Sequence, residues 1–174
     1  MIMEKSFDKL NWIKDLVRAE QRMEESGVVD FSAGFDPAQM IANESSTFLS
    51  ALKSAFIEAA TSFNQLKSSS VGRVKIYGIS NTDADFMLFR NGFKLIFSMK
   101  EPGVVGIRFN YVAAPFIMMN AVSDNGQKVP QDEDIIQAQW GAFGDVVWTH
   151  QSQPVKIDYL IKYYLTKFVR ESAK

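Results

Sequence analysis

Residues 85–113, DFMLFRNGFKLIFSMKEPGVVGIRFNYVA, constrain the fold more than any other stretch of this chain. Three runs rich in apolar and aromatic residues are separated by Asn91-Gly92 and by Pro102-Gly103. Asn-Gly supplies the two positive φ angles of a two-residue hairpin turn, so Asp85 to Arg90 pairs with Phe93 to Met99. That turn sets Phe86, Leu88, Phe93, Leu95 and Phe97 on one face. Side chains alternate along a strand, so a slip of one residue reverses all of them. A three-residue loop at Glu101-Pro102-Gly103 keeps Val105, Ile107, Phe109 and Tyr111 beside Met99, Phe97, Leu95 and Phe93. A two-residue loop would bring Arg108 and Asn110 into that apolar row, so the odd-length loop is expected. The opposite face then carries Met87, Phe89, Lys94, Ile96, Ser98, Lys100, Arg108 and Asn110.

The flanking sequence extends this sheet. Val71 to Ile79 alternates, with Val74 and Ile76 on one side and Arg73, Lys75 and Tyr77 on the other. Ala113 to Val122 reads as a further strand and Pro130 to Asp134 as an acidic loop. Ile135 to Trp148, interrupted by Gly141 and Gly144, reads as two short strands or one bulged strand.

Helices bracket the strands. Phe7, Leu10, Ile13 and Val17, widened by Leu16, mark an amphipathic helix over residues 4–25, with Ser6 or Asp8 as cap and Gly27 as stop. It is expected to dock on the core; pairing with a partner chain is the other use for such a face. Asp36-Pro37-Ala38-Gln39 is a helix start with N-cap, N1 proline and capping-box glutamine. From there Phe48, Leu52, Phe56, Ala59, Phe63 and Leu66 form a continuous apolar stripe towards Lys67, and the polar stretch 43–46 marks where a break would fall. Ile157, Leu160, Ile161, Tyr164, Leu165 and Phe168 define a last helix over 154–172. The expectation is a single α+β domain over 1–174: helical to residue 67, strands over 71–149, then the C-terminal helix. Its centre is a five- or six-stranded antiparallel meander with helices on its apolar face.

Composition narrows the chemistry. The chain has 174 residues, a formal net charge of -1, no Cys and a single His. Disulfides, thiol nucleophiles and cysteine metal sites are excluded, and one chain cannot supply a multi-histidine site. A near-neutral charge argues against nucleic acid as the partner. No segment approaches eighteen apolar residues, and residues 1–12 lack a signal-peptide core, so the expectation is a cytoplasmic protein that does not insert in membranes. Glycine-rich phosphate loops are absent. The run Asp132-Glu133-Asp134 lacks the calcium-loop pattern and reads as a solvated loop. His150 has no nucleophile-elbow serine to serve and reads as a strand-end residue. No catalytic residue, metal ligand or cofactor is therefore assigned.

The sheet's outer face remains. Met87, Phe89 and Ile96 are too apolar for a freely wetted surface, and they stand among the basic Lys94, Arg108, Arg73 and Lys75. The leading expectation is a non-enzymatic interaction protein, an adaptor, chaperone-like module or regulatory subunit. It would bind a protein partner, or a second copy as a homodimer, through this face. The alternative is a small-molecule binder with an apolar pocket between sheet and helices. An enzyme of unknown class ranks third.

Overall fold

A computed structural model of the chain describes residues 10–29, 36–111 and 133–173. They divide at Met40 and Ile41 into two compact units. In the first, α1 (Asn11–Ser26) ends where Gly27 turns to φ 67° and its N–H reaches the Met23 carbonyl at 2.9 Å. The expected start of this helix and its Ser6 or Asp8 cap lie outside the described residues.

Helix α2 (Pro37–Lys67) leads into the second unit. Asp36 caps it as its sequence predicts, its Oδ1 accepting from the N–H groups of Ala38 and Gln39 at 3.1 and 3.2 Å. The helix runs unbroken through 43–46. Ser45 explains why this polar stretch does not interrupt it. Its hydroxyl donates to the Ile41 carbonyl at 2.7 Å and accepts from the Gly103 N–H at 2.8 Å, so a buried polar group is satisfied inside the helix.

Among the described residues seven strands follow: β1 (Lys75–Gly78), β2 (Phe86–Arg90), β3 (Phe93–Glu101), β4 (Val104–Tyr111), β5 (Glu133–Trp140), β6 (Val146–His150) and β7 (Gln153–Pro154). They form one antiparallel meander in chain order. The class is α+β, and the sheet is larger than the five or six strands expected. Residues 135–148 divide into two strands across a turn closed by the Gly141 N–H on the Asp145 carbonyl at 2.7 Å, and β7 adds a short pair. The strand expected over 113–122 falls outside the described residues. The acidic loop needs correction: Glu133 and Asp134 belong to β5, where they face Arg108 and Ile107 of β4.

The central register is the expected one. Met99, Phe97, Leu95 and Phe93 stand opposite Val105, Ile107, Phe109 and Tyr111. The chain reaches it with a two-residue turn at Pro102-Gly103 plus an irregularity between Met99 and Glu101, which together have the parity of a three-residue loop. Asn91 and Gly92 take φ 51° and 82°, both positive as the tight hairpin demands.

Helix α3 (Ile157–Glu171) completes the core. Leu49, Leu52 and Phe56 of α2 meet Phe86, Leu88, Leu95 and Phe97 of the sheet and Leu160, Tyr164 and Phe168 of α3 in one buried cluster. Phe86 and Phe97 stack with ring centres 4.7 Å apart, and Phe56 tilts against Phe97 at 4.9 Å. Such pairs add to the area that they bury.

One charged side chain lies in this core. Arg90 Nε donates to the Gly72 carbonyl at 2.7 Å, and Nη1 donates to the Val169 carbonyl at 2.9 Å and to Ser172 Oγ at 3.2 Å. The guanidinium also rides over the Phe63 ring at 5.5 Å. It thus joins the approach to β1, the end of β2 and the last turn of α3, where a cation suits the helix dipole. An Arg90→Lys variant keeps the charge and loses the fork. Urea denaturation is expected to show a loss of about 1.5–3 kcal/mol, the worth of a hydrogen bond to a charged group.

Candidate functional site

The register places the sequence-predicted residues in two adjacent rows of the outer face. One row runs Lys75, Phe89, Lys94, Asn110 across β1 to β4; the next runs Tyr77, Met87, Ile96, Arg108, Glu133 across β1 to β5. Arg73 precedes β1 and is exposed. Met87 and Phe89 are half-buried, and Ile96 retains 8% of its surface, so the apolar part of this face is already largely withdrawn from water.

The face also carries an acid, which a sequence reading of a loop at 130–134 misses. Glu133 Oε2 meets Lys100 Nζ at 3.1 Å. Gly106 makes room for this pair: a Cβ there would run into the Glu133 carboxylate and stand 3.1 Å from Lys100 Cε. Glu133 Oε1 and Arg108 Nε are buried without a hydrogen-bond partner.

On the other side of the sheet lies a cavity of about 550 Å³ at the β5–β7 end, beneath the first turns of α3. Asp134, Ile136 and His150 form its floor; Pro154 and Val155 form one end; Lys156, Tyr159, Leu160, Tyr163 and Tyr164 form the helix wall. Strand alternation explains the floor. Asp134 stands opposite Ile107, so it shares the helix-covered side with Ile107 and Ile136, two residues on. Trp148, stacked on Phe48 at 4.2 Å, fixes that same side for His150, also two residues on. Helical spacing explains the wall, since Tyr159 and Tyr163 are one turn apart and Tyr164 and Leu160 lie beside them.

The polar contacts are specific. Tyr164 donates its hydroxyl to Asp134 Oδ2 at 2.6 Å. Its ring meets Phe97 edge-on at 6.0 Å and Tyr163 edge-on at 5.0 Å. Burial, followed by the hydrogen bond to Asp134 and the charge of that carboxylate, pushes the Tyr164 phenol far above its ordinary range. Tyr164 therefore stays a proton donor to Asp134. His150 Nδ1 lies 3.1 Å from the Ile135 carbonyl. A carbonyl only accepts, so Nδ1 carries the hydrogen of this contact.

The arrangement suits binding. The described lining holds no serine or threonine, so it does not assemble the serine–imidazole–carboxylate set considered for His150. Among the described residues no group of three or more acids or histidines is placed to hold a metal, and no helix is long and apolar enough to cross a membrane. Comparison with protein-family models, with curated proteins and with solved structures found no match.

Sequence reasoning offers a pocket between sheet and helices as an alternative and weighs Asp134 and His150 singly, but does not bring them together into this site. Its one legible signal is the alternation of Asp134, Ile136, Ala138 and Trp140, which sets an acid in an otherwise apolar row.

The phenol's raised value has a consequence for stability. An unfolded tyrosine loses its proton near pH ~10. Above that pH the folded chain holds a proton that the unfolded chain has released, so stability falls as pH rises towards the folded value. In wild type, denaturation midpoints are expected to decline above pH ~10; in Tyr164→Phe this part of the decline should vanish. At neutral pH the same variant is expected to lose about 1.5–3 kcal/mol, because Asp134 loses its donor.

Proposed function

We propose that this chain is a small-molecule-binding protein whose ligand occupies the cavity between β5–β7 and α3. The observation that carries the reading is the cavity itself. Its size is within the ordinary range of ligand pockets, and it joins apolar surface from Ile136, Val155 and Leu160 to a few polar groups. Fixed polar groups on an apolar wall orient a ligand, and here Asp134 is held by Tyr164 and His150 by the backbone of β5. Val155→Phe tests the reading by filling the space from a half-buried position. Fragments of mixed chemistry are expected to shift the amide signals of Tyr159 and His150 in wild type and not in the filled variant, with melting temperatures alike. Shifts that persist in Val155→Phe would place the ligand elsewhere.

A second reading keeps the outer face as a protein-docking surface, by self-association or with another partner. It is favoured by the unpartnered Arg108 Nε and Glu133 Oε1, since buried polar atoms without partners are rare and each carries a cost. Phe89, Lys94 and Lys75 would form the rim of such a contact beside Met87 and Ile96. Light scattering on wild type and on Phe89→Asp checks the self-association form: a dimer in the first and a monomer in the second is the expected pair. A strict monomer in both would sink it.

A further inference from the structure

The described lining of the cavity holds one carboxylate, Asp134, and one cation, Lys156, which do not pair. Asp134 brings a carboxylate to the helix-covered side of the sheet, and among the described residues it takes part in no ion pair. Tyr164 occupies Oδ2 only. His150 turns Nδ1 towards the Ile135 carbonyl. Tyr159, Tyr163 and Tyr164 add aromatic surface, whose faces attract cations. The one cationic side chain of the lining, Lys156, is exposed at the start of α3 and does not pair with Asp134.

An anionic ligand would meet Asp134 in a partly dehydrated space, where like charges repel more strongly than in water. A neutral ligand would leave that carboxylate without a counter-charge. An ammonium group brings the Asp134 carboxylate both a counter-charge and N–H donors, and charge-assisted bonds of this kind are the stronger ones. We infer that the cavity binds a primary organic ammonium ion whose apolar or aromatic body lies against Ile136, Val155 and Leu160. This rests on the small-molecule reading and adds the charge and class of the ligand.

Three probes that share a phenyl body separate the possibilities: phenethylammonium, 2-phenylethanol and 3-phenylpropanoate. Titration followed by the amide shifts of Tyr159, His150 and Lys156 gives each affinity at neutral pH. The ammonium is expected to bind at least about tenfold tighter than the other two, a difference of about 1.4 kcal/mol. Asp134→Asn, which keeps the shape, is expected to remove most of that preference while leaving 2-phenylethanol unchanged. Tyr159→Leu, at a position 70% exposed and so tolerant of change, is expected to weaken the ammonium selectively. If the alcohol or the acid binds as well as the ammonium, the charge assignment is wrong while the small-molecule reading stands. If neither the three probes nor a neutral fragment set moves these signals, both fall.

Discussion

The turn between β3 and β4 decides which way the side chains of β4 point relative to those of β3. Because alternation has a period of two, one residue more or fewer between Met99 and Val105 would turn β4 over against β3, sending Ile107 to the outer face and bringing Arg108 under the helices. The irregularity before Glu101 and the turn at Pro102-Gly103 together hold the parity. Ser45 then ties that turn to α2 through the Gly103 N–H, so the loop that sets the register is anchored to the helix that covers it. The Asn91-Gly92 hairpin does the same for β2, setting Phe86 beside Phe97 under Phe56.

The placement of α3 follows in turn. Its middle is held by Tyr164, which packs on Phe97 and bonds Asp134, and its end by Arg90 and Asn91, which reach Val169 and Ser172. Its first turns are held by Leu160 and Ile161 in the core, and Lys156 supplies no side-chain cap. Beneath these turns the sheet narrows to the two-residue β7. The cavity thus lies at the margin of a well-filled core, and the same Tyr164 that fixes the helix also fixes the carboxylate on the cavity floor.

Much of the scaffold was legible in the sequence because its signals are local. Asn91-Gly92 names its turn, Asp36-Pro37 names its helix start, and the apolar rows name their face. Residues 43–46 were ambiguous because a buried serine looks like a helix breaker until its partner, Gly103, is in view. Asp134 was read as part of a loop because an acid beside two others suggests solvent; its place in β5 depends on pairing with Ile107 and on a tyrosine thirty residues away. The two rows of the outer face could be assembled from alternation alone. The extent to which Ile96 is covered could not, since burial depends on what neighbouring strands place beside it.

The described strands of the meander leave two open edges, and both are poor templates for another strand. At one edge β1 is four residues long and carries the exposed Lys75; at the other β7 is two residues long and ends in Pro154, which has no N–H to offer. Edge-to-edge growth of the kind that leads to aggregation is thereby discouraged at both ends.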